Sequence, residues 1–129
     1  MKKIKSPKPT DAELSVLRVL WRRGPSTVRE VWEQLNPRQR TGYTTVLKIM
    51  QIMAEKGLLE RDERQRSHVY RPRLSQEQTQ RQVVGHLLER LFAGSAPQLV
   101  MQALAAKKAT PAELREIRKL LDEMEGGRK

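Results

Sequence analysis

The sequence predicts a mostly α-helical chain in two parts, with one β-hairpin closing the first part. Three observations predict it. Apolar residues recur at helical spacing in stretch after stretch, and one short region reads instead as two strands around a polar turn. The charge is also uneven: residues 1–74 hold 17 basic against 8 acidic side chains, whereas residues 75–129 hold 9 against 7. A formal charge of +11 on 129 residues points to a polyanionic partner, and the asymmetry assigns that partner to the first part.

Composition excludes several classes. Aromatic residues are 4% and hydrophobic residues 37%, so the core has to come from Leu, Val, Ile and Met. No run approaches the roughly 20 apolar residues that cross a bilayer. The start, Met1 to Lys8, is basic with no apolar stretch after it, unlike a secretory signal. Cysteine is absent, which removes disulfides, thiolate metal sites and cysteine nucleophiles and makes a reducing cytoplasm the simplest home.

The expected order runs as follows. Residues 1–9 read as a basic tail. Thr10 and Glu13 have capping-box spacing ahead of Leu14, Leu17, Leu20 and Trp21, and Gly24-Pro25 ends that first helix. Ser26 or Thr27 caps a second helix with Val28, Val31, Trp32 and Leu35 inward, ending at Asn36-Pro37. Trp21 and Trp32 both read as core. A third helix is expected from about Tyr43 to Lys56, with Gly57 as its left-handed stop. Its apolar side is Val46, Ile49, Met50 and Met53; Thr44, Lys48, Gln51 and Glu55 fall opposite, with Thr45 and Leu47 on the flanks. Leu58 to Arg61 and Ser67 to Arg71 read as strands around the turn Asp62 to Arg66. Three helices and then a basic two-stranded hairpin is the order of a winged helix-turn-helix, here spanning residues 10–74.

The face of the third helix opposite its core side opens with hydroxyls and a lysine instead of the Glu/Lys pairs of a merely solvated helix. Beside a basic hairpin, that favours a recognition helix over a core helix with a polar exterior. The expected nucleic-acid contacts are therefore Tyr43, Thr44, Thr45, Lys48 and Gln51 on the helix, Arg64 and Arg66 on the hairpin tip, and Arg38 and Arg40 just ahead of the helix as phosphate anchors. Lys2, Lys3, Lys5 and Lys8 are expected to make only loose, salt-sensitive contacts.

Residues 75–125 read as three helices, followed by a tail at 126–129. The first carries Val83, Val84, Leu87, Leu88, Leu91 and Phe92 and stops near Gly94. A short one after Pro97 carries Leu99, Val100, Met101 and Leu104. The last, opened by Thr110-Pro111, carries Leu114, Ile117, Leu120, Leu121 and Met124. Some 50 residues with three apolar faces can scarcely bury themselves alone. A homodimer through Val84, Leu87, Leu88, Leu91, Leu99, Leu104, Leu114, Ile117, Leu120 and Leu121 would cover them.

No catalytic or cofactor motif is present: there is no Gly-rich phosphate loop, no G-x-S-x-G and no His-Glu-x-x-His. His86 and Glu89, three apart, are too few ligands for a closed metal site. His68, in a strand beside basic residues, reads as a DNA contact or as simply exposed. Neither an enzyme, a cofactor nor a metal is expected.

The chain resembles the penicillinase-repressor family of bacterial transcription factors over about residues 8–124. The resemblance is carried by Leu17-Arg18-Val19-Leu20-Trp21, Thr27-Val28-Arg29-Glu30-Val31, Tyr43-Thr44-Thr45-Val46-Leu47, Glu55-Lys56-Gly57-Leu58-Leu59 and Tyr70-Arg71-Pro72, with a looser match at Thr110-Pro111-Ala112-Glu113-Leu114. It implies a dimer whose winged helices bind palindromic promoter operators in double-stranded DNA and repress transcription. Several members are released by proteolysis downstream of a membrane sensor protease. Here the corresponding segment, Val100-Met101-Gln102-Ala103-Leu104, departs from the Asn-Phe type bond cut in those members. The paired C-terminal cysteines of copper-responsive members are also missing. The competing readings are a winged-helix module that binds an acidic protein, or one that binds RNA.

Overall fold

The computed structural model describes residues 8–126, except for the side chains of residues 37–39. Among these residues the order is α1 (Asp11–Arg23), β1 (Ser26–Thr27), α2 (Val28–Gln39), α3 (Tyr43–Lys56), β2 (Leu59–Asp62), β3 (Val69–Pro72), α4 (Gln76–Leu91), α5 (Ala96–Ala106) and α6 (Pro111–Gly126). The chain divides into two compact units, residues 1–84 and 85–129. The break lies inside α4, ten residues beyond the 74/75 boundary expected from the sequence. The chain entering α4 is tied back to the first unit, because the Trp21 indole N–H donates to the Leu74 carbonyl at 3.1 Å and Thr79 is buried.

In the first unit, α1 starts on a complete capping box. The Thr10 hydroxyl accepts from the Glu13 N–H, and the Glu13 carboxylate accepts from the Thr10 N–H. Glu13 is buried, and its other oxygen takes the Lys56 ammonium at 2.7 Å, so one local motif also joins the start of α1 to the end of α3. Pro9, assigned by the sequence to the tail, is buried. Lys2, Lys3, Lys5 and residues 127–129 lie outside the described residues.

Thr27 caps α2 with a second capping box, through Glu30. Contrary to the expected stop at Asn36-Pro37, α2 runs on to Gln39. A proline this close to the C-terminus costs the helix one hydrogen bond, and the turn still closes through the Arg40 N–H on the Asn36 carbonyl at 3.0 Å. At the end of α3, Gly57 is left-handed (φ 86°) and the Leu58 N–H bonds the Met53 carbonyl at 2.9 Å. Leu58 thus belongs to the helix terminus, which is why β2 begins one residue later than the sequence suggests.

The sheet is antiparallel in the order β1-β3-β2, with Ser26 opposite Tyr70 and Arg61 opposite Tyr70 on the other side. β1 is two residues long, too short to carry a pattern, and went unforeseen. The core contains Val16, Leu17, Val19 and Leu20 of α1, Val28, Val31 and Leu35 of α2, Val46, Met50 and Met53 of α3, and Leu58, Leu59 and Tyr70. Trp21 and Trp32 pack on this core but are only half-buried, each with its indole N–H on a backbone carbonyl; they close its edge, where the sequence put them inside it.

The second unit has equally clear helix starts. Ser95 accepts from the Gln98 N–H ahead of α5, and Thr110 and Glu113 exchange capping-box bonds at the start of α6. Neither α5 nor α6 contains a buried side chain. Leu104, Ile117 and Leu120 line an open groove between α5 and α6, with Lys107, Lys108, Glu113 and Glu116 at its edges. No helix among the described residues is long and apolar enough to cross a membrane.

Candidate nucleic-acid interface

One side of α3 is committed to the core, where Val46, Met50 and Met53 are fully buried. That commitment turns Tyr43, Thr44, Thr45, Lys48 and Gln51 outward, and all five are exposed, with Leu47 half-buried beside them. The helix carries no acidic residue in its first turn, so nothing there offsets the positive end of its dipole. Lys48 has no ion pair among the described residues. The face therefore presents hydroxyls, an amide and a free ammonium, which are the donors that base edges and phosphates accept from.

The hairpin of β2 and β3 is the wing, and its arginines differ from one another. Arg61 pairs with Glu63 at 2.7 Å and Arg71 with Glu60 at 3.0 Å. Arg64 is held by Asp62 through two guanidinium nitrogens, at 2.7 and 3.0 Å, and through its own backbone N–H at 3.0 Å. Those bonds keep the Asp62 carboxyl well below the ordinary carboxylate range and raise the Arg64 pKa. Arg66 has no ion pair among the described residues. With Ser67 and His68 it borders an open cleft of ≈ 440 Å³ whose other walls include Arg29, Tyr43, Leu47 and Gln51.

The structure thus brings Tyr43, Gln51 and Arg66 around one cleft, with Thr44, Thr45 and Lys48 on the same helix. Arg40 is exposed in the left-handed conformation (φ 50°) that ends α2. The Arg38 side chain lies outside the described residues. Sequence reasoning passed over Arg29, whose guanidinium lies 5.8 Å from the Trp32 ring centroid and 3.6 Å from Glu33. The Arg29/Glu33 spacing of four reads as a solvated helical pair, which hides the residue; its place two positions after the Thr27 cap was the available signal. Among the described residues, no group of three or more His, Asp or Glu side chains could hold a metal.

Three helices, an antiparallel wing and an exposed donor-rich helix beside basic side chains define a winged-helix DNA-binding protein. The sequence profile of the penicillinase repressor family matches residues 9–123, and the chain belongs to that family. The penicillinase repressor of Bacillus licheniformis is 28% identical over 130 residues, covering 100% of this chain and 99% of the relative. The transcriptional regulator BlaI of Mycobacterium tuberculosis is 41% identical over 63 residues, 48% of this chain and 46% of that one. The solved DNA-binding domain of the repressor BlaI is 28% identical with a TM-score of 0.51, over 56% of this chain and 88% of that domain. The monomeric form of Bacillus licheniformis BlaI, solved in complex with the blaP half-operator, is 27% identical with a TM-score of 0.50, over 57% and 89%. The chain is a DNA-binding transcriptional repressor and not an enzyme.

Proposed function

We propose that the protein represses transcription in the cytoplasm as a homodimer that places two winged helices on the halves of a palindromic operator. The observation that carries the DNA half of this reading is the exposed face of α3. From it the Thr44 and Thr45 hydroxyls and the Lys48 ammonium meet base edges in the major groove, flanked by Tyr43 and Gln51. Arg38, Arg40 and Arg66 take phosphates on either side, and Arg64, held by Asp62, reaches a phosphate only when that pair opens. The solved relative bound to a half-operator supports DNA as the partner.

The dimer half rests on apolar exposure. Leu91, Leu120 and Leu121 are 69%, 55% and 54% exposed, and Val84, Leu87, Leu104 and Leu114 are also open. Leu88, Leu99 and Ile117 are half-buried at the edges of the same faces. Patches of this kind on a chain this size mark an interface, and a second copy matches them in kind. A sensor protease is no part of the proposal, because residues 100–104 lack the Asn-Phe type bond.

The test is a gel shift with the duplex upstream of the protein's own gene, against a scrambled duplex and a structured RNA. Selective retention of the promoter duplex is expected. Lys48→Ala and Thr45→Ala should each weaken promoter binding by about 1–3 kcal/mol and leave scrambled-duplex binding nearly unchanged. An unchanged specific-to-non-specific ratio in Lys48→Ala would make Lys48 a phosphate contact. Equal retention of the RNA would favour the RNA-binding reading.

A further inference from the structure

The helix that carries the reading residues is held at its start in a different way from α1, α2 and α6. Each of those opens on a Thr–Glu capping box. The N-cap of α3 is Gly42, which has no side chain to offer its first turn, and no side-chain cap bond is formed. Trp32 of α2 brackets that glycine instead. Its indole N–H donates to the Thr41 carbonyl at 2.7 Å, and its ring meets the Tyr43 ring edge-to-face with centroids 6.0 Å apart. The residue before the cap and the residue after it are thus both fixed to one side chain. The Arg29 guanidinium lies 5.8 Å from the same ring.

We propose that Trp32 is a positioning residue for sequence recognition: bonded to Thr41 and packed on Tyr43, it anchors the uncapped start of α3 and sets where Thr44 and Thr45 stand against the base edges. This rests on the reading that α3 reads DNA. Base-edge hydrogen bonds tolerate only small displacements of donor and acceptor, whereas phosphate contacts tolerate more. Loosening the start of α3 therefore costs specific binding more than non-specific binding.

The test uses the full chain and two probes: a duplex selected by the unmodified protein from a random-sequence library, and a scrambled duplex of equal composition. Trp32→Phe keeps a ring beside Tyr43 and removes the N–H donor. It should lower affinity for the selected duplex about tenfold, hold the scrambled duplex within about twofold, and speed amide exchange of Thr44 and Thr45 while the first turn of α1 keeps its protection. Gly42→Ser then supplies a cap. Gly42 has an extended backbone (φ −73°, ψ 155°) and a Cβ there meets nothing within 4 Å, so serine fits. In the Trp32→Phe background it should restore most of the lost ratio. Parallel loss on both duplexes, or no recovery with Gly42→Ser, would show that Trp32 only supports the fold. Exchange at α1 rising as much as at α3 would say the same without any DNA. If Lys48→Ala and Thr45→Ala leave the ratio untouched, the reading of α3 is wrong and this role goes with it; a ratio that falls in those variants but not in Trp32→Phe overturns only the role of Trp32.

Discussion

The two units open their helices by the same local rule and end in opposite states. Thr10 with Glu13 starts α1, and Thr110 with Glu113 starts α6, with the same reciprocal bonds at nearly the same distances. Yet α1 buries Val16, Leu17, Val19 and Leu20, and α6 buries nothing. Capping and periodicity decide that a helix forms and where it starts. They do not decide what it packs on. In the first unit, three helices and a wing converge on one core; in the second, well-formed helices keep their leucines in water. Apolar surface of that kind is stable only when something covers it, at roughly 25 cal/mol per Å². We therefore read the first unit as self-sufficient and the second as half of an interface.

The largest expected effect breaks that contrast from the second unit. Leu120 is 55% exposed in the single chain, so Leu120→Asp should leave an isolated chain folded, while in a dimer it would bury a carboxylate without a partner. The variant is expected to sediment as a monomer and to keep its N-terminal helices. Its affinity for a palindromic duplex should fall by roughly 10²–10⁴, the gain that linking two half-site contacts provides. Full-affinity binding by a demonstrably monomeric variant would remove the dimer from the mechanism.

A second prediction attacks the contrast from the core. Met50 is fully buried among α1, α2 and α3. Met50→Ala should destabilise the first unit by about 2–5 kcal/mol, a loss that does not depend on protein concentration. Met124→Ala, at a position 61% exposed in the single chain, should change stability only at concentrations where copies associate. Thermal unfolding over a range of concentrations checks both. A concentration-dependent midpoint shift in Met50→Ala, or none for Met124→Ala, would mean the two units do not differ as stated.

Much of this division could be read from the sequence, for reasons that differ by element. The helices were legible because their caps and apolar spacings are local, and the outward face of α3 followed from the inward one. What escaped depends on tertiary contacts. β1 exists only because Ser26 and Thr27 lie beside Tyr70 and Val69. The passage of α2 through Pro37 reflects how little one hydrogen bond counts near a helix end. The state of the wing was also hidden: composition shows Arg64 and Arg66 as equals, and only the folded turn separates them, giving Asp62 to Arg64 and leaving Arg66 beside the cleft. Trp32 read as core because its spacing is apolar, although its N–H does the more specific work.

A smaller effect sharpens the comparison between the two capping boxes. Burial raises the pKa of Glu13, but the Lys56 hydrogen bond, the Thr10 N–H and the Lys56 charge together outweigh it and hold the carboxyl below its ordinary value of 4.5. A folded pKa below the unfolded one means that this carboxylate stabilises the fold above about pH 4.5, and that the contribution disappears as pH falls through the folded value. Glu13→Gln keeps an acceptor for Thr10 and loses the ion pair. It should lower stability by about 1 kcal/mol at pH 7 and flatten the acid limb below pH 4.5. Glu113→Gln, at an exposed box with no ion pair among the described residues, should change stability at pH 7 by less. Urea midpoints from pH 3 to 7 measure both. Equal effects at the two sites would show that the cap alone matters, and not its place in the fold.

The smallest effect tests the same contrast, between charges committed inside the protein and charges left open, within the wing itself. Arg64 is exposed, with 87% of its side chain open to water, yet its guanidinium and backbone N–H are engaged by Asp62. Asp62→Asn keeps an oxygen that can accept from the Arg64 N–H, so the turn should hold, and it removes the anion that competes with a phosphate for the guanidinium. Binding to every duplex should strengthen a few-fold at low salt. The slope of log affinity against log salt should steepen by about one, the contribution of one further phosphate contact. The ratio of promoter to scrambled duplex should not move, because a wing phosphate contact carries no sequence information. Arg66→Ala should do the reverse, weakening all duplexes alike and flattening the slope by about one. If Asp62→Asn leaves the slope unchanged while Arg66→Ala flattens it, Arg64 makes no phosphate contact even when freed, and its work is to fold the turn that presents Arg66.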